Sequence, residues 1–389
     1  MTARILSIAG SDSGGGAGVQ ADIKTISALG GHAMTAVTAV TVQNTREVSA
    51  VHLVPPDVVT AQIRAVIDDI GVDAIKIGML GSADTVTAVA DALAGVRVPI
   101  VLDPVMIASS GADLADDEAV GALIETLLPL ASVVTPNAPE LSVLTQTEID
   151  DDADVLLAAQ ELLNLGPRAV LAKGGHLDGG QITDWLVTRH GHQAFSGSRI
   201  ATPHNHGSGC TLAAALACSL GQGMLLPEAV ARARQFVRLS LLNAPGLGRG
   251  IGPMGQQQVV NDHTALAPVL NQITVPALDY AASVDFYRRL GLRLIVDSPA
   301  DFYARFEAGN GVTLSIHGND GVAGEAIVYL ESLRLDAWVA ELQAAGLVFD
   351  QLPQDEAWLW REARLRDPAG NRICLYAAGE ARRFPPWRV

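Results

Sequence analysis

The chain has 389 residues, 49% of them apolar, which is ample material for a hydrophobic core and more than one domain of usual size needs. Its 26 basic and 42 acidic residues give a formal net charge of −16, which argues against non-specific binding to nucleic acid or to an anionic membrane. Three cysteines without a CxxC pair, a start unlike a secretory signal and no apolar run of membrane length predict a cytoplasmic protein without a disulfide framework.

Short apolar strands alternate with helical patterns over the first 250 residues. The strands are predicted at residues 4–10, 36–43, 74–80, 99–106, 132–137 and 169–175, and the helices at 56–70, 83–93, 119–128, 152–165 and 211–220. This alternation is typical of βαβ units. It predicts an α/β fold with a largely parallel sheet and helices on both of its faces.

A glycine-rich segment, SDSGGGAGVQAD (11–22), lies between the first strand and a helix. It is not a dinucleotide fingerprint, because Val19 occupies the third glycine position, and it is not a Walker A loop, because no GK[ST] follows. A flexible lid, or a turn that brings the backbone close to a small substrate, fits the segment best. A tight turn from strand to helix is the alternative.

Polar side chains gather where the predicted strands end. The carboxyl ends of parallel strands form the ligand crevice of open α/β sheets, so we expect these side chains to share one site. They are Asp12, Gln43 with Asn44, Asp103, Asn137 with Glu140, and Lys173, joined by the apolar Met79.

Lysine is rare, with three residues among the 26 basic ones. Each lysine lies in a motif-like segment: Lys24 in QADIKT, Lys76 in IKIGM and Lys173 in LAKGGH. A compact ammonium group is favoured where a planar guanidinium does not fit. We therefore expect a specific role for these positions, with chance placement as the alternative.

The segment TPHNHGSGCTL (202–212) puts a Gly-Ser-Gly-Cys turn directly before an Ala/Leu-rich helical run. The amides of Gly207, Ser208, Gly209 and Cys210 can point at one place, where the helix dipole also favours negative charge, which predicts an anion cradle. Cys210 would lie in the first helical turn, where a thiolate is stabilised and can take a proton from an attacking hydroxyl. The alternative is a helix capped by Ser208, with Cys210 as a small buried residue.

Together these motifs resemble the hydroxymethylpyrimidine/phosphomethylpyrimidine kinases of thiamine biosynthesis, in the ribokinase-like superfamily. The resemblance covers about residues 3–255 and is carried, in order, by IAGSDSGGGAGVQADIKT, TAVTVQNT, IKIGML, DPVM, TPNAPE, AKGGH, HGSGCTLAAALA and GRGIGP. It implies a ribokinase-like fold, the use of ATP and Mg²⁺, and two successive phosphorylations of 4-amino-5-hydroxymethyl-2-methylpyrimidine, first to the monophosphate and then to the diphosphate.

On the substrate side, the resemblance implies that Gln43 binds the edge of the pyrimidine, where an amide can donate and accept. It implies that Asp22, Met79 and Gly10 belong to the same pocket, with Asp22 as a polar anchor and Met79 as apolar packing. Since one pocket must take a hydroxyl and later a phosphate, we expect a mobile lid, supplied by the glycine loop or by residues 104–115.

On the phosphate side, Cys210 matches the position of the catalytic base, and the amides of 207–210 match the anion hole around the transferring phosphoryl group. Lys173 is the candidate phosphate contact. Asp103 supports the same rim or is structural, and Asn137 and Glu140 are candidates for Mg²⁺ or its waters.

Two features of the 202–212 segment need comment beside the resemblance. Ser208 stands where the family usually has threonine, which should leave the chemistry intact because both residues offer a hydroxyl and an amide. His204 and His206 lack a third ligand at useful spacing, so we expect loop residues over the nucleotide rather than a metal site.

The character of the chain changes after Pro253, with a predicted linker at 256–271. From 272 to 378 the pattern of strand, helix and strands occurs twice, and 379–389 is a tail. This duplication, with the motifs DFYRRLGL and DPAGNRICLY, resembles the glyoxalase/bleomycin-resistance (vicinal oxygen chelate) superfamily.

Metal-dependent members of that superfamily place His or Glu on four strands. The corresponding positions here are Gln272, Ser315 or His317, Glu325 and Cys374, a depleted set of ligands. We therefore expect a metal-free cup for a small molecule, or a dimerisation module. The aromatic residues Phe302, Tyr303, Trp358 and Trp360 could line the cup or form its core.

Two other functions stay open: a pyridoxal-type vitamin kinase, and a ligand-sequestering or resistance protein that acts through its second domain. Gln43 and Met79 favour the pyrimidine, and the intact kinase motifs argue against sequestration. The expected partners are small-molecule substrates and, because both families commonly dimerise, a second copy of the chain. Nucleic acid and membrane are not expected partners.

Overall fold

The computed structural model describes residues 2–106, 116–176, 179–259, 272–308, 312–318, 327–332 and 335–377. The chain divides into two compact units, Met1–Leu266 and Ala267–Val389. Most of the predicted linker, the predicted tail and most of the lid candidate at 104–115 lie outside the described residues. The predicted domain limits at residues 255 and 272 stay a prediction.

A nine-stranded sheet forms the centre of the first unit. Five consecutive pairings in the sheet, from β2 through β7, are parallel, and the outer strands β3, β8 and β9 pair antiparallel, so the predicted largely parallel sheet is confirmed. The strands lie in the order β3-β2-β1-β4-β5-β6-β7-β8-β9. They are β1 (Arg4–Asp12), β2 (His32–Gln43), β3 (Val48–Leu53), β4 (Ala74–Ile77), β5 (Ile100–Leu102), β6 (Val133–Val134), β7 (Ala169–Ala172), β8 (Gln181–Thr188) and β9 (Gly191–Ser198).

Helices cover both faces of this sheet, as predicted. Successive residues of a strand point to opposite faces, so Leu6 of β1 packs into one apolar core and Ile5 into the other. The helices are α1 (Gly18–Ala28), α2 (Pro56–Asp69), α3 (Ala83–Ala92), α4 (Asp117–Ala122), α5 (Ala138–Thr145), α6 (Asp152–Asn164), α7 (Ser208–Gly221) and α8 (Leu226–Leu242). Residues of α2, α3 and α6 belong to the core of Leu6, and residues of α1, α7 and α8 to that of Ile5.

The predicted helix at 119–128 is not a regular α-helix. It continues from α4 into a π-helical turn at Leu123–Leu127 and a 3₁₀ turn at Leu128–Leu130. Pro129 lies at this end of the helix, where it has no amide to donate and crowds the preceding turn.

Four predicted strands are also too long, since β4, β5, β6 and β7 end at Ile77, Leu102, Val134 and Ala172. Met79 and Asp103 lie in loops beyond the strand ends, and Asn137 pairs with Lys173 in an isolated bridge.

The second unit has two four-stranded sheets, in the orders β10-β13-β12-β11 and β14-β17-β16-β15. Each follows the same chain order of strand, helix and three strands, so the predicted βαβββ duplication is confirmed. Its elements are β10 (Gln272–Ala277), α9 (Tyr280–Arg289), β11 (Arg293–Ser298), β12 (Tyr303–Glu307), β13 (Thr313–Gly318), β14 (Ile327–Glu331), α10 (Leu335–Ala344), β15 (Phe349–Asp355), β16 (Arg361–Arg366) and β17 (Arg372–Ala377). Both halves contribute to one apolar core.

No helix in the described ranges is both long enough and apolar enough to cross a membrane.

Candidate active site

A cavity of about 840 Å³ opens at the carboxyl ends of the parallel strands of the first unit. The strand ends and the amino termini of α5 and α7 bring most of the predicted site residues to its wall. These are Gly10, Asp12, Gln43, Met79, Asp103, Asn137, Glu140, Lys173, Gly207, Ser208, Gly209 and Cys210. Asn44 and Asp22 do not line it.

The start of α7 forms part of the predicted anion cradle. The Ser208 amide donates to the Asn205 carbonyl (3.2 Å), so it is not free for a ligand as predicted. Within the described ranges, the amides of Gly209 and Cys210 have no protein acceptor, as expected for the first turn of a helix. Gly207 precedes the helix with a φ of 81°, and no side chain caps it, which excludes the alternative of a helix capped by Ser208.

Two features require glycine at position 207: its positive φ and the close approach of the backbone of Gly16. A Cβ atom at this position would lie 2.0 Å from the carbonyl oxygen of Gly16. The glycine loop and the start of α7 are therefore in direct backbone contact, which only a residue without a side chain permits. The glycine loop therefore lies beside the anion cradle.

A cation lies beside the cradle. Lys173 Nζ is 2.9 Å from Asp103 Oδ1 and 3.6 Å from Glu140 Oε2, and Thr135 also donates to Asp103 (2.9 Å). A Cβ atom built on Gly209 would lie 3.2 Å from Lys173 Nζ, so the ammonium group borders the backbone of the cradle. Burial lowers the pKa of Lys173, but the carboxylates of Asp103 and Glu140 raise it by more, and the lysine stays charged.

Asn137 and Glu140 form a capping box at the start of α5. Asn137 Oδ1 accepts the Glu140 amide, and Glu140 Oε2 accepts the Asn137 amide, both at 2.8 Å. This pairing uses one of the two lone pairs of the Asn137 oxygen, so the role of Asn137 toward Mg²⁺ stays a prediction. Glu140 keeps Oε1 without a hydrogen-bond partner in the described ranges, which fits a carboxylate that holds a water of a metal ion.

Asp12 shapes the glycine loop. Its carboxylate accepts the amides of Gly14 (2.7 Å), Gly16 (2.8 Å) and Ala17 (2.8 Å). Burial raises the pKa of Asp12, but the hydrogen bonds from His206 and from these amides lower it by more, so the carboxylate is ionised. Hydrogen bonds to an ionised carboxylate therefore stabilise the conformation of the glycine loop.

The structure adds His206 to the site, a residue that the sequence suggested only as part of a loop. His206 is buried, and its Nε2 lies 3.1 Å from Asp12 Oδ2 and 3.1 Å from Nε2 of Gln43. The other end of the Gln43 amide is 3.1 Å from the Thr41 hydroxyl. Because a carboxylate only accepts hydrogen bonds, His206 Nε2 carries a proton and donates to Asp12. A protonated Nε2 is best placed against an acceptor, which favours the orientation of the Gln43 amide with its oxygen toward the imidazole.

Cys210 lies half-buried in the cavity wall at the first turn of α7. Burial raises the pKa of its thiol to about 11, opposed by Lys76 and reinforced by the carboxylates of Asp22 and Asp103. The resting side chain is therefore a neutral thiol, and the predicted stabilised thiolate was wrong for this state. Desolvation is the largest cause of this shift in the pKa of Cys210.

Asp22 lies beneath the cavity rather than at its surface, in contrast to the predicted polar anchor of the substrate. It is fully buried, and its Oδ2 accepts from Lys76 Nζ (2.9 Å) and from Ser7 Oγ (2.5 Å). Its Oδ1 is buried without a hydrogen-bond partner in the described ranges. Asp22 thus belongs to a buried ion pair below the site.

Of the predicted metal positions in the second unit, the structure describes the side chains of Ser315, His317 and Cys374. Ser315 is buried and bonds the Tyr303 hydroxyl (3.1 Å), while His317 lies edge-on to the Tyr303 ring. Cys374 is buried on β17, and the side chain of Gln272 and all of Glu325 lie outside what the structure describes. The described residues contain no group of three or more His, Cys, Asp or Glu that could hold a metal ion.

Aromatic and charged side chains share one face of the second sheet of this unit. Register places Tyr329 and Arg364 beside Cys374, and Glu362 beside Tyr376. Trp360 stacks on Tyr376 with ring centroids 4.8 Å apart. We call this surface, Tyr329, Trp360, Glu362, Arg364, Cys374 and Tyr376, the Tyr376 face.

Three of the four predicted aromatic residues of the second unit divide between this face and the core, while Tyr303 bonds Ser315 on the other sheet (3.1 Å). The Trp358 indole donates to the buried Glu362 carboxylate of the Tyr376 face (2.7 Å). Phe302, in contrast, packs against the apolar core.

Comparison with known proteins gives two family matches. The family model described as Phosphomethylpyrimidine kinase matches residues 12–255, and the one described as Glyoxalase/Bleomycin resistance protein/Dioxygenase superfamily matches residues 269–375. The hydroxymethylpyrimidine/phosphomethylpyrimidine kinase of Streptomyces coelicolor is 46% identical over 250 residues, which are 64% of this chain and 93% of that protein.

Two further proteins are informative. A thiamine biosynthesis bifunctional protein of Geobacter sulfurreducens is 47% identical over 259 residues, 66% of this chain but only 53% of that protein. The structure of the ADP complex of Bacillus subtilis pyridoxal kinase has a TM-score of 0.62 and 34% identity, covering 66% of this chain and 98% of that one. Each of the three matches covers 64–66% of this chain.

Proposed function

The chain belongs to the phosphomethylpyrimidine kinase family, and we propose that its first unit transfers the γ-phosphoryl group of ATP to 4-amino-5-hydroxymethyl-2-methylpyrimidine and then to the monophosphate. The relatives that carry this activity in their names are close to half identical to the chain and match over nearly their full length. ATP as the donor is supported by the ADP complex of the Bacillus subtilis structure. The product is the diphosphate used in thiamine biosynthesis.

The observation that carries this proposal is the composition of one cavity. The cavity is lined by the Gln43 amide and the Met79 thioether, and by the start of α7 with its free amides and the Lys173 ammonium group. The amide suits the donor and acceptor edge of an aminopyrimidine. The free amides and the ammonium suit the transferring phosphoryl group, because phosphoryl transfer depends mainly on positioning and charge neutralisation.

The proposed roles of the residues follow from their chemistry. Gln43 orients the pyrimidine so that its hydroxymethyl oxygen faces Cys210. The thiolate form of Cys210, a small fraction near neutral pH, takes the hydroxyl proton as the oxygen attacks phosphorus. The amides of Gly209 and Cys210, with Lys173, stabilise the negative charge on the phosphoryl oxygens. Mg²⁺ bound by the phosphates of the nucleotide, with one of its waters on Glu140, would neutralise further charge.

A pyridoxal kinase is the second candidate, favoured by the structural likeness to the Bacillus subtilis enzyme. The two are separated by an ATP-consumption assay on the full chain, with hydroxymethylpyrimidine, its monophosphate and pyridoxal offered separately. We expect turnover of both pyrimidines. Turnover of pyridoxal alone would contradict the proposed substrate while leaving the phosphoryl-transfer chemistry in place.

For the second unit, we propose a domain that binds a small organic molecule on the Tyr376 face without a metal. Support comes from the aromatic rings beside a buried carboxylate, Glu362, and from the depleted set of metal ligands. Metal analysis of the purified full chain tests this proposal: tightly bound stoichiometric divalent metal would contradict it. A role in sequestering ligands would be favoured if the chain bound a small molecule tightly but turned over none of the three substrates.

We also propose that the protein is a cytoplasmic homodimer. The three cysteines are free thiols, as in a reducing compartment. Val40 and Val42 on β2 are about half exposed at 49% and 58%, on the face that does not carry Gln43, and this apolar surface suits a second copy of the chain. Light scattering on the purified chain measures the oligomeric state.

A further inference from the structure

Asp184 is a buried carboxylate in the wall of the cavity to which the proposed chemistry assigns no task. It lies on β8 with 8% of its surface exposed, and both Asp184 and Arg234 of α8 line the cavity. Stability alone is a weak reason for a buried ion pair, because removing two charges from water is costly. The two contacts of the Asp184 carboxylate indicate another role.

The two oxygens of Asp184 bind different elements. Oδ1 accepts the Gly174 amide at 2.9 Å, just beyond the end of β7. Oδ2 accepts from Arg234 Nε at 2.6 Å, and the guanidinium carbon of Arg234 lies 5.9 Å from the centre of the Phe195 ring on β9. Asp184 thus connects the segment after β7 to α8.

The Gly174 amide belongs to the peptide unit that follows Lys173. A peptide unit is planar, so the direction of this N–H fixes the backbone angle ψ of Lys173. The pairing of β7 with β8 ends at Ala172 and Trp185, so the strand ladder no longer holds the chain at Gly174. The Asp184 carboxylate provides this hydrogen bond instead.

The same segment has close contacts on its other sides. The Lys173 amide donates to the Pro136 carbonyl at 2.8 Å. A Cβ atom on Gly174 would lie 2.0 Å from the Thr183 carbonyl oxygen, so a glycine allows β8 to approach this closely. From this backbone the Lys173 side chain reaches Asp103 at 2.9 Å. The direction of the ammonium group therefore depends on the conformation of the segment.

We propose that Asp184 is a positioning residue for phosphoryl transfer: oriented by Arg234, it fixes the peptide unit after Lys173, so that the ammonium group stays beside the anion cradle and faces the phosphoryl group. This inference rests on the proposed function, because it takes Lys173 as the phosphate contact. Asp103 and Glu140 already balance the charge of Lys173, so Asp184 acts through the backbone rather than through its charge.

Two double variants with the same net charge test this role. Asp184→Ala with Arg234→Ala, the alanine pair, removes both hydrogen bonds. Asp184→Asn with Arg234→Gln, the amide pair, can keep both: the Asn oxygen accepts the Gly174 amide, and the Asn NH₂ group donates to the Gln oxygen, which is bonded to Cδ as Arg Nε is. A difference between the two pairs reports hydrogen bonding rather than charge.

Titration calorimetry on the full chain measures the affinity for ADP and for the non-hydrolysable ATP analogue AMP-PCP. Lys173 is proposed to face the terminal phosphoryl group, which AMP-PCP has and ADP lacks. We expect the alanine pair to bind AMP-PCP about fivefold more weakly, roughly the value of one net hydrogen bond, with a smaller change for ADP and with the amide pair near the wild type. Lys173→Met should show the same selective loss, and the alanine pair should add nothing to it.

A second measurement follows the Gly174 amide directly. The chain contains a single Lys-Gly step, at residues 173 and 174, so carbonyl-¹³C lysine with ¹⁵N glycine gives one signal in an HNCO spectrum. We expect the alanine pair to move this signal. Asp73→Ala is the matched control, because Asp73 also accepts a backbone amide and a guanidinium, both from Arg4, and is not among the described residues of the cavity wall. It should leave the signal and both affinities unchanged.

Several outcomes would overturn the inference. They are equal losses for ADP and AMP-PCP, equal affinities of the alanine and amide pairs, a further loss when the alanine pair is combined with Lys173→Met, and an unmoved Gly174 signal in the alanine pair. If the alanine pair does not fold, Asp184→Asn alone decides. Loss of a carboxylate by itself should tighten anion binding, so an AMP-PCP affinity at or above that of the wild type would overturn the inference.

The result is independent of the acceptor substrate. A selective loss of AMP-PCP affinity in a protein that phosphorylates neither pyrimidine would keep the role of Asp184 and reject the proposed substrate. A wild-type chain that binds neither ADP nor AMP-PCP would reject both. In an active protein, the alanine pair should lower kcat with little change in KM for hydroxymethylpyrimidine.

Discussion

At the scale of single residues, His206 connects the glycine loop to the proposed substrate contact. It bonds Asp12 and the Gln43 amide through one ring nitrogen, with both distances at 3.1 Å. We expect His206→Ala to raise KM for hydroxymethylpyrimidine about three- to tenfold, with a smaller change in kcat, because one net hydrogen bond that orients Gln43 is lost. Steady-state kinetics measure both constants.

The control for this prediction is His190→Ala, which removes an exposed histidine at the turn between β8 and β9. It should leave KM unchanged. A fall in kcat alone in His206→Ala would show that His206 serves the chemical step rather than the orientation of Gln43.

The thiol of Cys210 gives a prediction about pH. Its pKa, raised to about 11 by burial, leaves only a small thiolate fraction near neutrality, and this fraction grows with pH. If the thiolate is the base, kcat/KM should rise about tenfold for each pH unit between pH 7 and 9. Cys210→Ser should be strongly impaired and lose this slope. A flat wild-type profile would mean that the amides and Lys173 suffice without a base.

The sequence could locate most residues of the cavity but not their partners. Asp12, Asp103 and Lys173 were found because each follows an apolar strand, and strand ends converge in a parallel sheet. The Lys76–Asp22 pair and the contact between His206 and Gln43 join residues 54 and 163 positions apart, and no local pattern encodes such contacts. The neutral thiol of Cys210 depends on burial, which a single motif does not reveal.

At the scale of elements, the start of α7 depends on Gly207. Gly207→Ala would place a methyl group 2.0 Å from the Gly16 carbonyl at a φ of 81°. We expect it to separate the glycine loop from the cradle and to lower kcat at least tenfold, with a loss of stability of about 1–3 kcal/mol. Thermal unfolding and steady-state kinetics measure the two effects.

Gly223, just beyond the other end of α7, provides a matched control. Its φ is 86°, but a Cβ atom there would meet no atom within 4 Å. Gly223→Ala should therefore cost about 1 kcal/mol through backbone strain and leave kcat unchanged. Equal kinetic effects of the two substitutions would show that strain in α7, rather than the contact with Gly16, controls activity.

The elements themselves were predicted unevenly from the sequence. The βαβ alternation identified the inner strands, because strands buried on both faces are continuous apolar runs. The antiparallel strands β3, β8 and β9 were missed: the edge strands β3 and β9 are largely exposed, and β9 has little apolar periodicity. The irregular end of α4 was also missed, although Pro129 carries the signal that a regular helix ends there.

At the scale of the whole molecule, composition and motifs were sufficient to separate two units with different architectures. The repeated pattern of strand, helix and strands beyond residue 272 reflects a second core, which shares no residue with the two cores of the first unit. The sequence did not predict that the aromatic residues of that unit would divide between core and surface. That division depends on which face of each strand packs against the helices.

Separate cores predict separate unfolding. Calorimetry of the full chain should show two transitions, because each unit buries its own apolar residues. Hydroxymethylpyrimidine at about 100 times its Kd should stabilise the first unit by about 2.7 kcal/mol and raise the midpoint of one transition only. Peptide-resolved hydrogen exchange would assign that transition to residues of the nine-stranded sheet. A single transition that the ligand raises as a whole would show that the two units unfold as one cooperative structure, in which a ligand of the second unit could act on the kinase.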